Sequence, residues 1–419
     1  MAGSEFEVVV VGGGAAGIAA ARQLADANVK TVLVEARPRL GGRAWTVTDG
    51  SPYPIDLGCG WLHSAERNKW REIAEAQGCS IDRTPPPWTR PSLPLGFPLA
   101  EQRAFGEAAE QFYQRLESFP PDGPDMAAAA LLEPGSRWND LLNAVSTYVS
   151  GAELDCVSAR DLASYDNTGV DWRIVEGYGR VIANHAGDVN VELGCPVELI
   201  DRRGQRLKVI TAKGTLTANA AIITLPSNVL AEDIDLFAPR LPEKSEAAAG
   251  LPLGLADKIF LSLEEHEEFE PDSRIFGATR NSGTAAYHVR PFGRPQIEAY
   301  LGGKLARELE AGGPAAFHDF ALSELVGIFG SSFGQRLKPV GMHCWGTDPF
   351  SRGSYSYALP GKAACRKLLA APVDNRLFFA GEACSPFDFS TAHGAYATGL
   401  AAADQVIAFR QGARKVAKV

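Results

Sequence analysis

Six residues near the N-terminus, Gly12-Gly13-Gly14-Ala15-Ala16-Gly17, fit the spacing G-x-G-x-x-G. Such a run can cradle a pyrophosphate when it closes a strand and opens a helix. Gly12 permits the tight turn, Gly14 lets the backbone approach phosphate, and Gly17 lets the helix pack close to the strand, with the helix N-terminus favouring negative charge. Glu35 follows about 20 residues on, where a carboxylate can accept hydrogen bonds from a ribose. The same carboxylate would repel the 2′-phosphate of NADP, so the nucleotide implied is FAD or NAD. A second G-x-G-x-x-G is absent, since the weak Gly327, Gly330, Gly334 spacing follows no strand. That disfavours an NADPH-fed monooxygenase. Leu40-Gly41-Gly42-Arg43 adds two glycines for close backbone contact and an arginine able to donate to phosphate in bidentate fashion.

The elements that must position these residues are legible around them. Glu7–Val11 is a continuous β-branched run, as expected of a strand buried on both faces. An Ala-rich stretch, Ile18–Ala27, has helical spacing, and Thr31–Val34 reads as the next strand. This is one βαβ opening of a doubly wound sheet. Pro and Gly break the chain over Pro85–Pro98 and Pro120–Pro124, with an amphipathic helix expected over Leu99–Leu116. Short strands are expected at Val197–Asp201, Leu207–Thr211, Ala220–Leu225, Ile259–Leu263 and Gln296–Leu301, and a helix over Phe317–Phe329. The chain ends on strand Leu377–Ala380, a Gly-Glu turn and a helix from Gly394 to Arg410, so the last segment is expected to complete the first domain.

With 419 residues the chain can bury a large core in two or three domains. Its net charge of −9 argues against nucleic acid as a partner and suits a cationic substrate. The seven cysteines show no CxxC and no metal-ligand spacing, which reads as free thiols in a reducing cytosol. Acidic Glu5 and Glu7 stand where a secretory leader would be basic. The longest apolar run, Val8–Ala21, is broken by glycines and falls short of the roughly 20 residues of a membrane span. The basic stretch Arg410–Val419 lacks a hydrophobic anchor. A cytoplasmic protein without membrane or metal is expected.

Glu35-Ala36-Arg37 followed by Gly41-Gly42-Arg43 is similar to the FAD-binding segment of the flavin amine oxidase superfamily, which includes monoamine, polyamine and L-amino acid oxidases, phytoene desaturases and protoporphyrinogen oxidases. The resemblance implies FAD rather than NAD. Asp56-Leu57-Gly58-Cys59-Gly60-Trp61-Leu62-His63 resembles the segment that runs along the flavin ring in polyamine and monoamine oxidases. It implies that Gly58, Cys59, Gly60 and Trp61 lie near the isoalloxazine and that His63 stands where animal polyamine oxidases carry an active-site His. Leu253–Leu261 resembles the strand bearing the family's flavin-facing lysine, here Lys258, which in that family holds a water against flavin N5. Trp345–Tyr355 resembles the segment with a Trp near the flavin and an aromatic cage wall, here Tyr355. Ser354 falls where mitochondrial monoamine oxidases carry the cysteine that bonds FAD, and serine cannot form that thioether. Phe379-Ala380-Gly381-Glu382 and Ser390–Tyr396 resemble the C-terminal FAD signature, with Glu382 at the ribityl chain and Thr391-Ala392 toward the pyrimidine end of the ring. Val197 joins the cofactor-binding set. Thr391 stands where the second cage aromatic would be, which opens one side of the cage to bulkier amines.

The fold class expected is α/β: a discontinuous Rossmann-type FAD-binding domain, 1–85, 175–235 and 340–419, with an α+β substrate-binding domain, 86–174 and 236–339. The chemistry implied by the resemblance is oxidation of an amine by non-covalently bound FAD, with molecular oxygen as acceptor and hydrogen peroxide as product. Lys258, Tyr355, Trp345 and His63 are the catalytic candidates. Assembly as a homodimer is left open. A superfamily desaturase or isomerase is the alternative, against which Lys258 and Tyr355 argue; a non-catalytic FAD-binding protein is a further one. The segment after Gly58 lacks the Met-Arg pattern of amino-acid oxidases.

Overall fold

A computed structural model describes residues 4–120 and 123–416. Among the described residues, three five-stranded sheets organise the fold. The first is wholly parallel, in the order Leu377–Phe379, Ala220–Ile223, Val8–Val11, Thr31–Val34, Val191–Glu192. Every residue of Val8–Val11 and Ala220–Ile223 is buried, as the continuous apolar runs require of strands covered on both faces. Strands from the beginning, middle and end of the sequence thus share one sheet.

The glycine turn leaves this sheet at Val11, and the helix Ala15–Asp26 starts three residues earlier than its hydrophobic spacing suggests, because Gly14 already serves as its N-cap. That helix packs on the C-terminal helix Ala392–Val416, and the contact is tight: a Cβ on Gly399 would lie 2.2 Å from the Ala16 carbonyl oxygen. The C-terminal helix also starts earlier than expected, at Ala392, because the Thr391 hydroxyl accepts from Gly394 N–H and caps it. Residues 1–3, 121–122 and 417–419 lie outside the described region. Among the described residues no helix is long and apolar enough to cross a membrane.

The second sheet is antiparallel, in the order Ser273–Phe276, Ala286–Val289, Gln296–Gly302, Ala256–Leu263, Leu337–Met342. Strand alternation divides it. Ile259, Leu261, Ile275, Tyr287, Val289, Ile297, Ala299 and Leu301 pack with Phe317, Ala321 and Leu325 of the helix Pro314–Phe329. The opposite face presents Lys258, Glu298, Tyr300, His288 and Arg274. A third, mixed sheet joins Ser4–Glu5, Gly214–Ala218, Leu207–Thr211, Val197–Asp201 and Phe237–Ala238. Helices Leu99–Glu117, Asn139–Ser150 and Ala159–Ala163 contribute Phe112, Leu116, Leu142 and Ala159 to a separate small core.

One buried ion pair fastens these helices to the C-terminal region. Arg366 donates to both oxygens of Asp161, at 2.6 and 2.7 Å, and both side chains are only 2 % exposed. Arg366 also donates to Ser356 Oγ at 2.9 Å and stacks on Phe389. Removing one partner leaves an uncompensated buried charge. We expect Arg366→Met to lose roughly 3–5 kcal/mol in denaturant unfolding, and Arg366→Met with Asp161→Leu to recover much of it. A single variant as stable as the parent would show that the pair is not what fastens these helices.

Candidate active site

A single cavity of about 1090 Å³ runs from the glycine turn to the antiparallel sheet. At its first end lie Gly12, Gly14, Ala15, Ala16, Glu35, Ala36, Arg37, Gly41, Gly42 and Arg43. Gly13 and Gly17 stand behind this wall. Gly13 N–H donates to Glu35 Oε2 at 2.7 Å, and a Cβ on Gly17 would meet the Gly12 carbonyl at 1.8 Å, the close helix–strand approach that only glycine allows. Glu35 Oε1 accepts from Arg37 N–H at 2.7 Å. The carboxylate therefore fixes both loops of the cradle and keeps lone pairs toward the cavity. Val197 lines the same end.

Both arginines at this end are engaged with carboxylates, which for Arg43 departs from the sequence expectation of a phosphate donor. Arg43 is engaged through Nη1, which donates to Glu382 at 2.9 Å and to the Ser354 carbonyl at 2.8 Å. Arg37 donates to Asp348 at 2.5 Å and to Ser351 Oγ at 2.8 Å. Glu382 is a hub, also accepting from Ser356 Oγ at 2.6 Å and Ser390 N–H at 3.0 Å. Burial works to raise its pKa, but Arg43, Ser356 and Arg366 outweigh it and hold the group below the usual carboxylate range. Gly381, Thr391 and Ala392 line the cavity beside it.

At the far end Gly58, Cys59, Gly60 and Trp61 meet the antiparallel sheet. Lys258 is buried and pairs with Glu298 at 2.9 Å. A Cβ on Gly60 would lie 3.4 Å from Lys258 Nζ, so the lysine points at the glycine segment. Burial pushes against ionised Glu298, yet Lys258 and then His288 prevail and lower its pKa. Behind the pair the polar chain continues. His288 Nε2 lies 2.8 Å from Asp272 Oδ1, which accepts from Arg173 at 2.7 Å. Asp272 is held at about 2 against its burial, by His288 and Arg173, and burial lowers the His288 pKa. Arg173 lies over the Trp61 ring, and Trp61 Nε1–H donates to Tyr300 Oη at 3.1 Å.

Trp345 supports this end from behind: it is 2 % exposed and its Nε1–H donates to the Leu57 carbonyl at 3.1 Å. Glu310 accepts from the next two backbone amides, Gly346 and Thr347, at 2.8 and 2.9 Å, and buried Asp257 is raised well above its ordinary value by burial and by Glu310. The Tyr355 hydroxyl donates to the Tyr148 carbonyl, and burial raises its pKa. Ser354 Oγ accepts from Ala256 N–H and donates to its carbonyl, both at 2.9 Å, which ties Tyr355 to the strand of Lys258. His63 lines the cavity with Nδ1 2.8 Å from Asp171. Burial pushes the Cys59 thiol up to about 12, so it is no thiolate near neutral pH. All seven cysteines are free.

Comparison with known proteins bears directly on this arrangement. The family described as flavin containing amine oxidoreductase matches residues 15–154 and 133–407. The chain belongs to the flavin-containing amine oxidoreductases. Polyamine oxidase 2 of Arabidopsis thaliana is 30 % identical over 95 % of this chain and 87 % of its own length. Polyamine oxidase 5 of Oryza sativa subsp. japonica is 31 % identical over 95 % and 87 %. A solved structure of wild-type putrescine oxidase bound to putrescine superposes with a TM-score of 0.73, at 18 % identity over 96 % of this chain and 99 % of the other, a likeness of fold. This flavin-dependent amine oxidoreductase thus carries every residue anticipated from its sequence on the cavity wall or, for Gly13 and Gly17, directly behind it.

Sequence reasoning missed Glu298, His288, Asp272, Arg173 and Asp171. One signal was present: Glu298 is the charged residue of the strand Gln296–Gly302, set between Ile297 and Ala299 and on the same face as Tyr300. Because the folded pKa of Glu298 lies below its unfolded value of about 4.3, the unfolded state binds more protons in that window. The stability it contributes is present above about pH 4.3 and is lost as pH falls through the folded value. Glu298→Gln should therefore flatten the fall of unfolding free energy between about pH 5 and pH 3, and cost roughly 3–5 kcal/mol at neutral pH by orphaning Lys258. Denaturant titrations across pH measure both; parallel profiles would contradict the pairing.

Proposed function

We propose that this amine oxidoreductase binds FAD non-covalently through a Rossmann-type domain built from 1–85, 175–235 and 340–419, with 86–174 and 236–339 supplying the substrate side. The observation that carries the reading is that one cavity joins the Glu35-braced glycine cradle to the buried Lys258–Glu298 pair. The residues fit the cofactor: backbone glycines and a helix N-terminus for the pyrophosphate, a carboxylate for ribose, and a glycine segment open to a flat ring. When bound, FAD supplies hydride acceptance from the carbon beside a neutral amine nitrogen and passes the electrons to oxygen, giving hydrogen peroxide.

The chain's own residues orient and insulate. Tyr355 and Trp61 present aromatic surface that favours an amine. Trp345, held by Leu57 and by the Glu310-braced turn, keeps the Gly58–Trp61 segment rigid. Lys258, its charge balanced by Glu298, holds a water and a positive charge beside the ring. Ser354 supports non-covalent binding, being a hydroxyl engaged with Ala256. Small Thr391 leaves the wall opposite Tyr355 open, which suits amines bulkier than benzylamine. His63, held by Asp171, lines the approach. The free thiols fit a cytoplasmic protein.

Mixing the purified yellow protein anaerobically with aliphatic, cyclic and arylalkyl amines tests this. Flavin bleaching is expected with some of these amines, slowest with the smallest arylalkylamines. The flavin should pass into the supernatant on acid denaturation. A flavin that no amine bleaches, or that stays with the polypeptide, would contradict the corresponding part.

A further inference from the structure

We infer that Arg274 receives an anionic group, a carboxylate, at the end of the amine substrate remote from Lys258, an inference that rests on the amine-oxidising reading above. Arg274 lies in the strand Ser273–Phe276 and lines the same cavity, while its neighbour Ile275 turns into the core. Its guanidinium stacks on Phe276, 4.1 Å from the ring centre. Among the described residues it has no hydrogen-bonding or ion-pair partner for its nitrogens. The other lysine and arginine side chains on the cavity wall are matched: Arg37 with Asp348, Arg43 with Glu382, Lys258 with Glu298, Arg352 with Asp233. Arg274 is half-buried, and a partly desolvated cation without a counter-charge offers a site for an anion that completes it.

The surroundings supply no hidden counter-charge. Tyr148, the one titratable neighbour acting on Arg274, donates its hydroxyl to the Thr284 carbonyl. The carboxylate of Glu324, which acts on Tyr148, is spent on Ala278 N–H, Thr284 Oγ, Ala285 N–H and Tyr287 Oη. Burial lowers the Arg274 pKa to about 10, so it stays protonated near neutral pH. Its planar fork matches a carboxylate in bidentate geometry.

Position sets the length of the ligand. Arg274 pairs with His288, His288 with Glu298, and Glu298 with Phe260, two residues along from Lys258. At about 4.8 Å per strand and 3.4 Å per residue, the two backbones stand roughly 16 Å apart. An amine with a carboxylate several methylenes away spans that interval once both side chains reach inward. The same charge repels the far ammonium of a long diamine, so Arg274 selects against it.

The test uses the FAD-loaded protein with three probes of equal length: 8-aminooctanoate, n-octylamine and 1,8-diaminooctane. The parent is expected to show a KM for aminooctanoate at least tenfold below that for the diamine. Arg274→Met should raise the aminooctanoate KM at least tenfold while leaving its kcat, and the octylamine KM, within about twofold. Arg274→Lys should restore part of the loss. No preference in the parent, or equal loss for octylamine in the variant, would overturn the inference. Calorimetric binding of octanoate, which carries no amine, separates this from the amine reading. If no amine bleaches the flavin, the amine reading fails, and octanoate binding tenfold weaker in Arg274→Met still supports the anion site. Equal octanoate binding in parent and variant overturns it. Should the Met variant lose its fold by circular dichroism, the Lys variant decides: octanoate binding retained but weakened severalfold relative to the parent supports the site, and binding equal to the parent, or a parent that does not bind octanoate, overturns it.

Discussion

The pair of Lys258 and Glu298 is the constraint around which this molecule is built. Two charges 2.9 Å apart, both buried, are tolerated only where geometry is fixed and further polar groups complete the set. A strand pairing provides that rigidity. Lys258 stands opposite Tyr300, two residues beyond Glu298, so the two side chains emerge on one face of adjacent strands. His288, Asp272 and Arg173 then extend the polar chain to Trp61, which rests under the Arg173 guanidinium and bonds Tyr300. The lysine aimed at the glycine segment and the tryptophan beside it are positioned by one continuous network.

Buried carboxylates perform the corresponding task elsewhere in the cavity. Glu35 gathers two backbone amides at the glycine turn, Glu382 gathers Arg43, Ser356 and Ser390, and Glu310 braces the turn after Trp345. Each loop is thus held by a charge-assisted bond to a residue distant in sequence, from 22 residues for Glu35 and Gly13 to 339 for Arg43 and Glu382. The parallel sheet supplies the frame, because strands from the beginning, middle and end of the chain lie side by side in it.

What was legible in the sequence follows from range. The glycine turn, Glu35 and the flanking strands form a local pattern, and the structure places them as the spacing implies. Helix starts were misjudged by two to three residues where a cap or a first-turn proline rather than apolar spacing decides them, at Gly14, at Thr391 and at Pro314, which opens the helix ending at Phe329. The bond from Arg43 to Glu382 was not legible because the two lie at opposite ends of the chain. The acids and histidine around Lys258 could not be gathered from spacing, since strand register alone brings Glu298 and His288 to it. Arg274 went unnoticed for the same reason: an arginine in a short strand is ordinarily solvated, and only the register turns it into the cavity.

The account stands on Lys258 being the charge beside the flavin rather than a structural lysine. Stopped-flow measurement of the two half-reactions in Lys258→Met addresses this directly, since Met keeps much of the stem and removes the charge. Removing one electrostatic donor commonly slows the step it serves by about 10²–10³. Reoxidation of the reduced flavin by oxygen should slow at least tenfold, while anaerobic reduction by amine changes less. Both rates equal to those of the parent would contradict the placement of the active site around Lys258.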